Sequence, residues 1–104
     1  MSKKGPVHVT VSGFQDCPYF RKAVAAGEKV ASENEDFTLT VIEKPRTQFH
    51  EHREAVLKQL GKSVDSHKTC PLVYTALNNR PMNFIGGCDS FLDFLRTEYP
   101  KTEL

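Results

Sequence analysis

The sequence has little net charge, no long apolar run and few cysteines, and each of these features excludes a class of protein. Its 14 basic and 13 acidic side chains nearly cancel, so the overall field favours neither nucleic acid nor an anionic membrane as a partner. No apolar stretch approaches the roughly 20 residues of a membrane span, and the amino end lacks the apolar centre of a signal peptide. We therefore expect a soluble protein of the reducing cytoplasm without nucleic-acid or membrane partners.

The cysteine content narrows the chemistry that the chain can perform. The chain has three cysteines, an odd number, and no secretory signal, so a framework of structural disulfides is not expected. The remaining roles for these cysteines are buried thiols, metal ligands or redox chemistry. The length of 104 residues is that of one small domain. We predict a single domain over residues 1–104 with an ordered core at about residues 7–99.

Hydrophobic periodicity predicts seven elements in the order βαβαββα. Alternating apolar and polar residues predict a strand with one buried face over 7–14 and a second strand over 36–44. A short apolar run predicts a third strand over 71–77, and a fourth strand is expected to return over 82–86. Helical spacing predicts helices over 18–33, 47–62 and 88–99. Gly61 is expected to end the second of these helices. Turn-forming residues make the last two strands an antiparallel hairpin. This order predicts a thioredoxin-like three-layer α/β fold, a four-stranded mixed sheet with helices on both faces.

Cys17 lies at the junction between the first strand and the first helix, where α/β sheets carry their ligands. At a helix start, unpaired backbone N–H groups and the helix dipole favour the thiolate form of a cysteine. Pro18 suits the first helical position, because its missing N–H is not needed there. Cys17 is thus either a reactive thiol or a small apolar residue at the end of a strand, and its position alone does not decide between them.

Three separated motifs carry a resemblance to one family. They are "CPYF" at 17–20, "TCP" at 69–71 and "IGGCDS" at 85–90. They resemble the CPYC active site of glutaredoxins, the TVP loop that holds a cis-proline, and the GGCDD-like turn that binds glutathione. The motif order and the element placement agree over about residues 7–99. The resemblance implies a thiol–disulfide oxidoreductase with glutathione as co-substrate and glutathionylated or thiol-bearing proteins as partners.

The resemblance also implies a role for each motif. Cys17 would be the nucleophile that takes glutathione from a mixed disulfide, after which a second glutathione regenerates it. Pro71 would be cis, so that the Cys70 backbone can pair with glutathione in strand fashion. Asp89 would meet the glutathione ammonium, and Lys68 is a candidate partner for the glycine carboxylate. The implied glutathione-binding residues are Tyr19, Lys68, Thr69, Cys70, Pro71, Gly86, Gly87, Cys88 and Asp89.

The sequence departs from the glutaredoxin pattern around the predicted nucleophile. Phe20 replaces the second cysteine, so no CxxC disulfide can form, although a one-cysteine pathway needs only Cys17. Phe14 stands where glutaredoxins usually carry a lysine, and the acidic Asp16 precedes Cys17. Both changes disfavour a thiolate at this position. The alternative function is therefore a catalytically weak module that binds glutathione, a partner protein or an iron–sulfur cluster.

Cys70 occupies the valine position of the TVP motif and has two interpretations. In this fold the cis-proline loop packs against the active-site turn, so Cys70 could resolve Cys17 in place of the missing cysteine. Alternatively, it is a small apolar substitute for valine. A metal site of Cys17, His67 and Cys70 has loose spacing and no placed carboxylate, so we predict no metal site. The bulky residues 18–20 are expected to crowd an iron–sulfur cluster, which we therefore do not expect as a cofactor.

Overall fold

The computed structural model describes residues 6–78 and 80–104. Its elements are β1 (Val7–Gly13), α1 (Pro18–Glu33), β2 (Phe37–Glu43), α2 (Arg46–Gln59), β3 (Leu72–Leu77), β4 (Arg80–Gly86) and α3 (Cys88–Glu98). The order βαβαββα is as predicted, and α1 has the predicted bounds. Residues 1–5 of the predicted domain and Asn79 of the predicted hairpin turn lie outside the described residues.

The sheet is mixed, with the strand order β2-β1-β3-β4. β1 runs parallel to β2, whereas β3 is antiparallel to both β1 and β4. Ser12 near the end of β1 lies opposite Leu72 at the start of β3. The loop that follows β1 and the loop that precedes β3 therefore meet at the same edge of the sheet.

Helices cover both faces of this sheet, which confirms the predicted thioredoxin-like fold. α1 and α3 pack on one face, in a buried core that includes Val9, Val11, Phe20, Ala23, Val30, Val73, Phe91, Leu92 and Leu95. α2 packs on the other face, where the buried cluster consists of Phe49, Val56, Leu57, Leu72 and Tyr74. Within residues 6–78 and 80–104, the helices are too short or too polar to cross a bilayer.

β1 is buried on both faces, so the prediction of a single buried face is wrong. Val9 and Val11 are buried in the core with α1 and α3, as the alternation predicts. Thr10 and Ser12 alternate with them and are also buried. The Ser12 hydroxyl donates a hydrogen bond of 3.1 Å to the Leu72 carbonyl oxygen, which satisfies this polar side chain inside the protein. A central strand under two helical layers can therefore carry hydroxyl side chains without exposing them.

The predicted end of α2 is confirmed at Gly61. This glycine has a φ of +75°, a left-handed backbone that glycine adopts without a steric penalty. Its N–H donates to the Lys58 carbonyl at 3.0 Å, and the Lys62 N–H donates to the Leu57 carbonyl at 2.8 Å. These two hydrogen bonds form a Schellman motif, which satisfies carbonyl groups that the helix end would otherwise leave unpaired.

The carboxyl-terminal residues pack beyond the predicted core limit at residue 99. Thr102 is only 6% exposed. Its hydroxyl oxygen accepts a hydrogen bond of 3.1 Å from the Asn34 side-chain amide, which also donates to the Val30 carbonyl at 2.9 Å. The segment after α3 is thus attached to the end of α1 rather than forming a solvated tail.

His52 on α2 is expected to make the stability depend on pH. Its ring lies 6.4 Å from the Phe49 ring, and within the described residues its buried Nε2 has no hydrogen-bond partner. Burial, together with the charge of Lys44, lowers the pKa of His52 from its usual 6.5. Below about pH 6.5 the unfolded chain then binds a proton that the folded chain does not. The free energy of unfolding therefore has its full contribution from neutral His52 above that pH. This contribution is lost as the pH falls from 6.5 to the lowered pKa of the folded protein.

We therefore expect the free energy of unfolding to fall on acidification and His52→Gln to reduce this dependence. Urea unfolding at a series of pH values measures how the free energy of unfolding changes with pH in the unchanged protein and in His52→Gln. His8→Gln, which replaces an exposed histidine, measures the contribution of a surface imidazole. A slope in His52→Gln equal to that of the unchanged protein would contradict the prediction.

Candidate active site

Cys17 is the N-cap residue of α1, as predicted for a helix-start cysteine. Its backbone is extended, with φ of −86° and ψ of 114°, and Pro18 opens the helix. The Cys17 carbonyl accepts the N–H of Arg21 at 3.2 Å, which begins the helical hydrogen bonding. The thiol does not cap the helix but donates to the Cys70 carbonyl oxygen at 3.5 Å. The side chain is 7% exposed, so the nucleophile candidate lies just below the surface.

The loop before β3 places Cys70 directly beside Cys17. The Cys70–Pro71 peptide bond is cis, as predicted, and Pro71 is fully buried. Burial, together with a hydrogen bond to Cys17 and the charge of Cys17, raises the pKa of the Cys70 thiol to about 12. The backbone N–H of Phe14 and the charge of Arg53 act in the opposite direction. Cys70 is therefore a protonated thiol at neutral pH while the pair is reduced.

Gly13, the last residue of β1, makes room for this arrangement. A side chain there would place its Cβ 2.7 Å from Cγ of the Phe20 ring and 2.8 Å from the Cys70 sulfur. Real Cβ atoms essentially never approach other atoms so closely. Phe20 itself is 3% exposed and belongs to the main core. The residue that replaces the second cysteine of the CxxC motif is thus a packing residue beneath the active-site turn.

An open groove with a volume of about 460 Å³ runs beside this turn. It is lined by Tyr19, Ser66, His67, Thr69, Cys70, Phe84, Gly86, Gly87, Cys88, Asp89 and Ser90. The predicted glutathione residues that it brings together are Tyr19, Thr69, Cys70, Gly86, Gly87, Cys88 and Asp89. Pro71 is buried behind them. Lys68 does not line the groove, and its Nζ pairs with an Asp65 carboxylate oxygen at 3.3 Å.

The start of α3 forms one wall of the groove. Gly86 has a φ of +132°, and a Cβ at this position would lie 2.8 Å from the Ser90 side chain. Gly87 is the N-cap residue and has no side chain that could cap the helix. The first N–H groups of a helix have no acceptor within the helix, so they can donate to a bound anion. Asp89 in the first turn adds a carboxylate that can meet a cation.

His67 is a groove residue that the sequence indicated only as an alternative metal ligand. Its Nε2 lies 3.0 Å from the Pro71 carbonyl oxygen, and its ring meets the edge of the Phe84 ring at 5.5 Å. Within the part of the chain that the structure describes, no three His, Cys, Asp or Glu side chains group as metal ligands. The alternative site of Cys17, His67 and Cys70 is therefore not assembled. The other groove residues that the sequence did not single out are Ser66, Phe84 and Ser90.

Phe14 takes part in an aromatic and cationic contact beside the active-site turn. Its ring meets the Phe49 ring edge to face, with centroids 5.6 Å apart. The Arg46 guanidinium lies over the Phe14 ring, 4.6 Å from the centroid. Phe14, at the position of the lysine in the resembled pattern, is thus a packing residue, and the Arg46 guanidinium places a positive charge next to it. Asp16 is exposed to solvent.

Comparison with known proteins assigns the fold and the family. Two structures of E. coli glutaredoxin, one of them the reduced protein studied by NMR, give TM-scores of 0.60 and 0.65. Each is 21% identical to this chain, and each match covers 89% of this chain and 98% of the glutaredoxin chain. This similarity shows that the chain has a glutaredoxin-like thioredoxin fold. No curated protein matches the chain. Since residues 8–103 match the family described as "Putative malate dehydrogenase 1B N-terminal domain", the chain belongs to that family.

Proposed function

We propose that residues 1–104 form a glutathione-dependent thiol–disulfide oxidoreductase domain that acts through Cys17 alone. The observation that carries the proposal is the position of Cys17 at the start of α1, against the cis-proline loop and beside the groove. The unpaired N–H groups of a helix start and the positive end of its dipole suit a bound anionic group, and the thiolate is the nucleophilic form of cysteine. The partners are glutathione and glutathionylated or thiol-bearing proteins of a reducing compartment such as the cytoplasm.

The proposed reaction consists of two thiol–disulfide exchanges. In the first, the Cys17 thiolate attacks the glutathione sulfur of a mixed disulfide, and the substrate leaves as a thiolate that takes up a proton. In the second, the thiolate of another glutathione attacks the glutathione sulfur on Cys17, forming oxidised glutathione and releasing Cys17. Neither exchange needs a second protein thiol, so Phe20 in place of a cysteine does not interrupt the sequence.

The groove supplies complementary groups for the glutathione peptide. The Thr69 and Cys70 backbone borders it on one side and the first turn of α3 on the other. The N–H groups of that turn suit the γ-glutamyl carboxylate, and Asp89 suits the neighbouring ammonium group. Tyr19, whose side chain is 59% exposed, flanks the opening. Lys68 could reach the glycine carboxylate only by leaving Asp65, so we assign it the weakest contribution.

Asp89→Asn should raise the KM for glutathionylated substrates about 10-fold, because a charge-assisted hydrogen bond to the ammonium group would be lost. We expect kcat to change little, since Asp89 does not touch the reacting sulfur atoms in this mechanism. Steady-state turnover of a small glutathione mixed disulfide measures both constants. Asp93→Asn is the matched control, because Asp93 lies on the same helix but pairs with Arg96 at 3.6 Å.

Two results would count against this binding mode. If Asp89→Asn and Asp93→Asn gave the same KM as the unchanged protein, glutathione would not meet the start of α3. If the unchanged protein itself showed no turnover, the oxidoreductase proposal would be wrong, whatever the two variants did.

One observation favours the second candidate function, a binding module with little catalysis. Cys17 is 7% exposed and is not among the residues that line the groove, so little of it is accessible to a substrate sulfur. A module of this kind would bind glutathione, or a partner protein, without turnover. Saturable glutathione binding by calorimetry, together with undetectable mixed-disulfide turnover, would favour this candidate over the enzyme.

The family name describes the amino-terminal domain of a putative malate dehydrogenase. On this relationship we propose that the chain is a redox module attached to an enzyme of that description. We assign no malate dehydrogenase activity to residues 1–104. Their sequence contains no GxGxxG dinucleotide-binding motif, and the described sheet has a glutaredoxin-like strand order.

A further inference from the structure

Cys17 and Cys70 form a thiol pair that the one-cysteine reaction does not use. We propose that Cys70 is the resolving thiol of Cys17, so that oxidation closes a disulfide between the active-site turn and the cis-proline loop. This inference rests on the proposed function, because the glutathione adduct of Cys17 is the species that Cys70 resolves. It gives the domain a two-thiol route although Phe20 removes the usual one.

The Cys17 thiol contacts the cis-proline loop at Cys70. Its sulfur lies 3.5 Å from the Cys70 carbonyl oxygen, and the charge of Cys17 acts on the Cys70 thiol. The residues are 53 positions apart in the sequence, so the sheet rather than the local chain brings them together. An S–S bond of about 2.05 Å requires the two sulfur atoms to approach each other from these positions.

Neighbouring backbone groups enclose the Cys70 sulfur. It packs against the bare Cα of Gly13, where a Cβ would come within 2.8 Å of it. The backbone N–H of Phe14 acts to lower the pKa of the same thiol. The Cys70 thiol is therefore held next to Cys17. Valine, the residue of the TVP motif, would fill this volume but could not react.

Cys88 is the competing partner and is less suitably placed. It is buried at the start of α3, on the wall of the groove. The charge of Cys17 contributes to its raised pKa, of which burial is the largest cause. However, the hydrogen bond of the Cys17 thiol goes to the Cys70 carbonyl oxygen. We therefore expect Cys88 to remain a free thiol when the pair oxidises.

The resolving step is an intramolecular exchange that balances without a further oxidant. The Cys70 thiolate attacks the Cys17 sulfur, the Cys17–Cys70 bond forms, and the bond from Cys17 to glutathione breaks. Glutathione leaves as a thiolate and takes up a proton equivalent to the one that Cys70 lost. In this step the Cys70 sulfur is oxidised and the glutathione sulfur is reduced by the same amount. Over both exchanges the pair loses two electrons to the original glutathione mixed disulfide, which leaves as two thiols. Two further glutathione molecules return the pair to thiols and leave as oxidised glutathione.

The order of the steps follows from the charge of Cys17. While Cys17 is a thiolate, its charge and hydrogen bond keep Cys70 protonated. Burial is the largest cause that raises the pKa of Cys70, and it acts both before and after the adduct forms. Once Cys17 carries glutathione, the charge of Cys17 no longer adds to it, so Cys70 ionises more readily after the adduct has formed than before.

Intact-mass analysis and non-reducing peptide mapping test the pairing. The reduced domain is treated in one arm with oxidised glutathione and in the other with diamide, an oxidant that links thiols without contributing atoms to the product. We expect both arms to give the reduced mass less two hydrogens, with the Cys17 and Cys70 peptides joined. Cys70→Val should instead accumulate the glutathione adduct on Cys17 in the first arm. Cys88→Ser removes the competing thiol, and diamide, which does not need the glutathione groove, should still join Cys17 to Cys70 in it.

The outcomes separate this inference from the proposed function. A stable Cys17 adduct in the unchanged protein, or a disulfide that contains Cys88, would overturn the pairing. If the protein turns over a mixed disulfide but never joins Cys17 to Cys70, only the inference is wrong. If glutathione never adds to Cys17, the proposed function is wrong. The resolving role of Cys70 is then wrong as well, even if diamide joins the two thiols.

Discussion

Cys17→Ser is expected to abolish turnover of a small glutathione mixed disulfide, lowering kcat/KM by on the order of 10³-fold or more. The reason is chemical, because a serine hydroxyl neither ionises near neutral pH nor forms a disulfide with glutathione. The change removes the thiol that attacks the glutathione mixed disulfide and retains a small side chain at the N-cap of α1. Steady-state kinetics with glutathione and a glutathionylated peptide measures the loss.

Cys88→Ser is the control for this experiment. Like Cys17→Ser, this variant replaces a buried cysteine at a helix start. The Cys88 thiol, however, has no role in the proposed exchanges. We expect it to keep most of the turnover. Equal losses in both variants would point to a general packing defect. Turnover that persists in Cys17→Ser would show that another group attacks the mixed disulfide.

Phe91→Ala is expected to lower the free energy of unfolding by about 3–5 kcal/mol, the usual cost of truncating a buried phenylalanine. Phe91 on α3 is fully buried in the core that α1, α3 and the sheet share. It also approaches α1 so closely that a Cβ at Gly27 would lie 3.3 Å from the end of its ring. Truncation leaves a cavity between two helices that each begin at the active site. Urea unfolding followed by circular dichroism measures the loss.

Tyr19→Ala is the matched truncation of an exposed aromatic residue. Because Tyr19 is 59% exposed, we expect its removal to change the free energy of unfolding by no more than about 0.5 kcal/mol. Its effect should fall on glutathione binding instead, since Tyr19 flanks the groove. Similar stability losses in Phe91→Ala and Tyr19→Ala would contradict the assignment of the core to the α1–α3 face.

Element order and most helix ends could be predicted because short-range chemistry determines them. Alternating side chains predicted β1, Pro18 marked the start of α1, and Gly61 marked the end of α2. The double burial of β1 could not be predicted, because Thr10 and Ser12 are polar and look solvent-facing in a one-dimensional pattern. Their burial depends on α2 covering the second face of the sheet.

The candidate site shows the same division between local and long-range information. The glycine turn and the cis-proline loop could be identified from their motifs, and the groove contains most of their residues. The contributions of His67 and Phe84 depend on how the loop before β3 meets β4, which no local pattern encodes. Likewise, the room that Gly13 leaves for Phe20 and Cys70 became visible only when distant segments were brought together.

We claim that Cys17 itself accepts glutathione, and mapping the modified cysteine after a short reaction decides this. The reduced domain is mixed with a glutathionylated peptide, quenched with acid within the first turnover, and analysed by peptide mass mapping. We predict that glutathione is found on Cys17, or that the Cys17–Cys70 disulfide which follows from this adduct is found, while Cys88 stays free. Glutathione on Cys88, or three unmodified thiols while the substrate is consumed, would contradict the claim.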